Sequence, residues 1–195
     1  FYKNDGKEFI HFDSIDVKNS EVLDRVKYVH LFSKLFKNSH NRYVNYFFVR
    51  LDKLCVDFQK FVGYEKNIRF NILQKGCNWC SITNDLVEYI LKEEENINVM
   101  VKRSKCADEL FIQTIVINSK FKNNLYGKSF NNDYRDCLRY IIWDDNDLKH
   151  PKLLDINDYD SIINSDSIFA RKVSSKNELC FELVKKIYKY IGGKE

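Results

Sequence analysis

Residues 76–92 read Gly76-Cys77-Asn78-Trp79-Cys80-Ser81-Ile82-Thr83-Asn84-Asp85-Leu86-Val87-Glu88-Tyr89-Ile90-Leu91-Lys92, and the change of period inside this stretch decides the fold class. Gly76 to Ile82 is a short run with an aromatic and a β-branched residue after a glycine, the pattern of a strand. Thr83 then offers the hydroxyl of a helix N-cap. Behind it Leu86, Val87, Ile90 and Leu91 recur at three- and four-residue steps, the period of a helix with one apolar face. A strand running straight into an amphipathic helix is the building unit of a layered α/β domain.

The same alternation extends in both directions. Upstream, Glu8 to Phe12 predicts a strand, and a helix from about Ser20 carries Val22, Val26 and Val29 along one side. A long helix is expected from Asn41 to Phe61, with Val44, Phe47, Phe48, Leu51, Leu54, Cys55, Phe58 and Phe61 as its apolar stripe and Gly63 as its stop. Ile68 to Leu73 reads as another strand. Downstream, Glu93-Glu94-Glu95 should form a solvated helix end, and Asp108 should cap a helix through Leu110, Phe111, Ile115 and Val116. Leu138 to Trp143 and Ser167 to Val173 are rich in strand formers. A last helix should begin near Ser175, carry Leu179, Leu183, Val184, Ile187 and Ile191, and end at Gly192-Gly193.

Composition narrows the function. A chain of 195 residues is one domain by its length. It buries roughly 70% of its unfolded surface and needs no disulfide to hold a core. The balance of 32 basic against 28 acidic residues gives a net charge of +4. That is too mild for a dedicated nucleic-acid binder and compatible with a small anionic ligand. Aromatic residues make up 15% of the chain, which suits sugar-binding clefts and ordinary cores equally. No stretch approaches the ~20 apolar residues of a membrane span. Only Cys77 and Cys80 among the six cysteines form a C-x-x-C. No second ligand pair lies near them, so zinc is not expected, and their strand setting is wrong for a redox motif. Dispersed cysteines point to a reducing compartment. With one proline and six glycines there is no flexible linker. Asp158-Tyr159-Asp160 has the spacing of a metal-holding D-x-D, but reads better as acids opening a short helix. Asp144-Asp145-Asn146-Asp147 reads as a solvated loop, lacking the spaced ligands and glycine of a calcium loop.

Four segments stand out in order: Gly76 to Thr83, then Asp108-Glu109-Leu110-Phe111-Ile112-Gln113-Thr114, then Leu138-Arg139-Tyr140-Ile141-Ile142-Trp143, and then Ile168-Phe169-Ala170-Arg171-Lys172. Together, with His150-Pro151-Lys152 between the last two, they resemble the core-2/I-branching glycosyltransferases, glycosyltransferase family 14. That family includes β-1,6-N-acetylglucosaminyltransferases and peptide O-xylosyltransferases. The resemblance runs from Gly6 to Lys172. It implies a GT-A-like layered α/β/α domain lacking its N-terminal nucleotide-binding strands, with residues 1–195 as the C-terminal, acceptor- and diphosphate-binding part of a single glycosyltransferase domain.

The resemblance further implies an inverting, metal-independent transfer of a sugar, GlcNAc before others, from a UDP donor to a glycan hydroxyl. Glu109 matches the catalytic base. Arg171 and Lys172 match the basic pair that takes the leaving diphosphate, and Lys152 falls near a third such position. On a regular strand only one of Arg171 and Lys172 would face the phosphates, and Lys172 is the choice. Trp143 matches an acceptor-lining tryptophan, and Asp108, Trp79 and Arg25 are further acceptor-side candidates. Asp24 stands before Arg25 where the family has glutamate, and Ile142 stands where aspartate is frequent. No cofactor is implied, UDP-sugar being a substrate. The partners implied are that donor and a glycan or glycoconjugate acceptor, with no nucleic acid. The abundance of Asn, Lys and Ile favours a bacterial or viral source and so the cytoplasm; a eukaryotic source would place the protein in the Golgi lumen. The competing reading is a non-catalytic carbohydrate-binding or scaffold remnant of the same fold.

Overall fold

The structure, a computed structural model, describes residues 6–14, 20–33, 35, 41–127, 134–144 and 147–192. The chain's opening at Phe1 to Asp5, the centre of the expected loop at Asp145 and Asn146, and the terminating Gly193 lie outside the described residues. The chain forms two compact units, Phe1–Asn132 and Asp133–Glu195, and each is described by itself.

In the first unit β1 (Phe9–Ile10) pairs antiparallel with β2 (Cys80–Ser81), Phe9 opposite Ser81. The predicted strands are here, but cut to two residues each. At their ends other partners take over: the Glu8 backbone bridges to Leu125, and the Glu8 side chain takes Thr83. Glu8 is fully buried and spends its carboxylate on the backbone N–H and hydroxyl of Thr83, at 2.9 and 2.6 Å. Thr83 in turn caps α3 (Asn84–Lys92) by accepting from the Leu86 N–H, as its sequence position predicts. Below the ribbon, Ile10, Phe12, Leu86, Val116, Phe121 and Leu125 form one core cluster. Each fully buried aliphatic side chain of this kind contributes about 1.5–3 kcal/mol.

Helix α1 (Ser20–Lys27) buries Val26, while α2 (Arg42–Phe61) starts at an Asn41 cap and stops before Gly63 at φ +71°. Both ends of α2 match the sequence reading. Its orientation does not: Phe47, Leu54, Phe58 and Phe61 of the expected core stripe are 60–87% exposed. The opposite, polar face is the anchored one. Asp52 on that face is wholly buried, and Gln59 accepts from the Val29 N–H and donates to the Val29 carbonyl, both at 2.9 Å.

Two more expectations are revised, the first through competition by a side chain. Ile68 to Leu73 forms no strand. The backbone N–H and C=O of Ile72 are both bound by the amide of Asn118, at 3.1 and 2.7 Å. Ile68 and Leu73 still pack, against the cluster of Val26, Met100, Ala107 and Leu110. Helix α3 does end at Glu93, as expected, but Glu94 and Glu95 open a new helix rather than trailing from it. The chain breaks at Glu93 and restarts as α4 (Glu94–Val101), whose first-turn acids suit the positive end of a helix. A 3₁₀ turn at Ala107–Glu109 then leads into α5 (Phe111–Ile117), and a second such turn at Lys120–Asn124 follows.

In the second unit β3 (Arg139–Ile141) lies parallel to a strand at Phe169–Arg171, with Arg139 opposite Phe169. Between them in sequence, β4 (Trp143–Asp144) and β5 (Asp147–Pro151) form a hairpin, and α6 (Tyr159–Ile163) precedes the parallel strand, β6 (Phe169–Arg171). The terminal helix α7 (Glu178–Tyr190) begins three residues later than Ser175, because the Asn177 side chain caps the Cys180 N–H. It buries Leu183 against Leu154 and Ile162. The fold is thus mixed helix and sheet. Among the described residues the sheets are three separate two-stranded pairs rather than one continuous layer. No described helix is long and apolar enough to cross a membrane.

Candidate functional site

Glu109 closes the 3₁₀ turn that begins after Cys106, a residue held at φ +47°. Its backbone carbonyl accepts from the Gly76 N–H at 2.9 Å. Its carboxylate Oε2 lies 3.3 Å from Nη1 of Arg25, with the two side chains 38% and 35% exposed. Asp108, its immediate neighbour in the same turn, is exposed and accepts from the Asn78 amide at 3.3 Å. Asp108 is therefore not the helix cap that its sequence position suggested. The left-handed bend at Cys106 sends it into a tight turn, where its carboxylate meets the Gly76–Trp79 loop instead. Trp79, the next residue of that loop, is half-buried. The first unit thus brings Glu109, Arg25, Asp108 and the Asn78–Trp79 loop to one place.

Arg25 is held there through backbone and buried charge. Its carbonyl accepts from the Lys105 N–H at 3.0 Å, and the His30 N–H reaches the Arg103 carbonyl at 2.8 Å. Behind this wall Asp52 accepts from His30 Nδ1 at 2.7 Å, from Lys105 Nζ at 2.5 Å and from the Phe32 N–H at 3.1 Å. Burial alone would raise the Asp52 carboxyl, but Lys105, His30 and the Phe32 N–H together hold it below the usual carboxylate range. Asp13 behaves alike, with burial opposed by His11 and Lys75, which hold it low. Apart from His11 and Asp13, which are two residues apart, these pairs join residues 20 or more positions apart, which no local pattern in the sequence reveals.

The second unit carries the remaining candidates. Trp143 starts β4, half-buried, with its ring 5.8 Å from that of Tyr134. Lys152, the third diphosphate-side candidate, is engaged by a carboxylate of its own unit. Its ammonium binds both oxygens of Asp158, at 2.9 and 3.0 Å, and this hydrogen bonding raises its pKa against the opposing effect of burial. Asp158 also closes a capping box with Asp155, so the D-x-D acids open a short helical segment as expected. Arg171 and Lys172 are both exposed. The strand ends at Arg171, so alternation does not decide between them. The Lys172 carbonyl accepts from the Leu154 N–H at 2.8 Å, tying the basic pair to the segment that follows Lys152. Among the described residues no group of three or more His, Cys, Asp or Glu side chains is placed to hold a metal ion.

Comparison with known proteins gives one family. The model of the core-2/I-branching enzymes matches residues 14–162, a span that contains Arg25, Glu109, Trp143 and Lys152 and ends before Arg171. No curated protein and no solved structure matches the chain.

Proposed function

The chain belongs to the core-2/I-branching enzyme family, a family of glycosyltransferases, and from that premise we propose that it transfers a sugar from a UDP donor to a glycan hydroxyl with inversion and without a metal ion. GlcNAc is the favoured sugar and a GT-A-like fold the favoured scaffold. The observation that carries the reading is the pairing of Glu109 with Arg25 inside the family-matched span. An inverting transfer needs one carboxylate to take the proton of the attacking hydroxyl. Glu109 is that base in this proposal. The acceptor oxygen bonds to the anomeric carbon as the bond from that carbon to the diphosphate breaks, and UDP leaves.

The departing charge is met by cationic side chains, for which Arg offers a bidentate fork. Arg171 and Lys172 take this role, with Lys152 as a third cation that would have to share its ammonium with Asp158. Arg25 and Asp108 present polar groups to the acceptor, and the indoles of Trp143 and Trp79 offer flat faces to the C–H side of sugar rings. A bacterial or viral source, and so the cytoplasm, remains the favoured setting.

Two measurements test this together. Calorimetry with UDP should show binding, and turnover of UDP-GlcNAc should be unchanged by excess EDTA. An absence of UDP binding would favour a non-catalytic carbohydrate-binding remnant. Loss of turnover under EDTA would overturn the metal-independent mechanism.

A further inference from the structure

Gln113 stands in the same sequence segment as Glu109, four residues on, and the mechanism above does not use it. It is fully buried, at 0% exposure. Its Nε2 donates to the Cys77 carbonyl at 2.6 Å and to the His11 carbonyl at 3.1 Å. Its Oε1 is buried with no hydrogen-bond partner among the described residues. A buried glutamine with an unsatisfied oxygen is costly, on the order of 1–3 kcal/mol. A hydrophobic residue would fill the same space without that cost, so the two donated bonds are the feature that the glutamine supplies.

Those two bonds hold one particular loop. Gly76, next to Cys77, sits so close to its neighbours that an added Cβ would lie 2.1 Å from the His11 carbonyl and 2.7 Å from Gln113 Nε2. Such contact demands glycine. From this pinned point the Gly76 N–H reaches the Glu109 carbonyl at 2.9 Å, and Asn78 reaches the Asp108 carboxylate at 3.3 Å. The neighbouring Thr114 accepts from the Gln74 N–H at 3.0 Å and so fixes the other end of the loop. Gln113, Gly76 and Glu109 therefore form a closed circuit. The short run from the 3₁₀ turn at Glu109 into α5 at Gln113 fixes one side, and the two glutamine bonds and the glycine N–H fix the other.

We propose that Gln113 is a positioning residue for Glu109: through Cys77 and Gly76 it fixes the turn that carries the carboxylate, so that its loss lowers turnover and not donor binding. The inference rests on the reading of Glu109 as base. The test is a double-mutant cycle in the full-length protein, with UDP-GlcNAc as the probe. The variants are Gln113→Met, which keeps length and removes both donors, Glu109→Gln, and the pair. Gln113→Met should lower kcat by about tenfold to a hundredfold, with KM for UDP-GlcNAc within about twofold, because only the carboxylate is misplaced. In the Glu109→Gln background it should cause little further loss, since residues acting as a unit are not additive. Full multiplication of the two losses, or a change confined to KM, would overturn the proposal. Full activity of Glu109→Gln alone would instead overturn the reading of Glu109, whatever Gln113→Met does. Gln113→Glu, which keeps the shape and turns a carboxylate toward the two carbonyls, should repeat the kcat loss. If neither variant folds by thermal unfolding, the residue serves the fold alone and the proposal fails.

Discussion

Replacing Asp52 by alanine should destabilise the first unit more than any other single truncation on α2. Asp52 is 0% exposed, and one carboxylate serves three donors: His30 Nδ1, Lys105 Nζ and the Phe32 N–H. Removing one partner of a buried charge cluster costs about 3–5 kcal/mol, because the remaining groups stay buried and unpaired. Lys105 is 28% exposed and can turn to water, so its share of the loss is small. His30 is only 5% exposed and cannot, and the Phe32 N–H loses its acceptor as well. The loss is therefore about 4 kcal/mol, a large part of the roughly 5–15 kcal/mol by which domains are stable. Urea unfolding followed by tryptophan fluorescence reads it directly. With a slope of about 2 kcal/mol per molar, the midpoint should fall by about 2 M. Lys53→Ala, on the exposed face of the same helix, is the control and should move stability by less than about 0.5 kcal/mol. A loss below about 1 kcal/mol for Asp52→Ala would refute the argument that the polar face anchors this helix.

Arg25→Met should barely change stability, by about 0–1 kcal/mol for a pair this exposed, while lowering UDP-GlcNAc turnover about tenfold. Thermal unfolding and a turnover assay on the same sample separate the two effects. Acid should destabilise the protein. Asp13 and Asp52 both titrate below 3.8 in the folded state, so their contribution is full above that pH and is lost as pH falls through the folded values. Asp13→Asn should therefore flatten the fall in urea midpoint below pH 3.8. Lys66 gives a slope of the same sign in the alkaline range. Burial lowers it from 10.5 to about 8, so between those values the unfolded chain holds a proton that the folded one has shed. Stability should rise with pH across that window, and Lys66→Met should remove the rise.

How much of this was legible in the sequence depends on distance along the chain. Helix ends were readable because their determinants are local: Thr83 caps α3, Asn41 precedes α2 and Gly63 stops it. The burial of α2 was misread because periodicity identifies a face but not what covers it. Its orientation was decided by Asp52 and Gln59, whose partners lie 20 to 53 residues away. Ile68 to Leu73 looked like a strand because its residues suit one, yet Asn118 occupies the backbone groups of Ile72. At the site, the acidic pair was visible, and Arg25 and Trp79 were named through the family resemblance alone, without their pairing to it. Arg25 is 84 residues from Glu109, and no spacing rule joins them. Gln113 could have been noticed, since a glutamine among Ile112, Ile115 and Val116 on a buried helix is out of place without a polar task.

The most direct test of the proposed mechanism is the turnover number of Glu109→Gln with UDP-GlcNAc and an accepting glycan, measured beside thermal unfolding and UDP affinity. Loss of a general base should cost on the order of 10²–10⁴-fold in kcat, with UDP affinity and melting temperature unchanged. A variant that folds, binds UDP and turns over at the wild-type rate would remove Glu109 from the chemistry and contradict the mechanism.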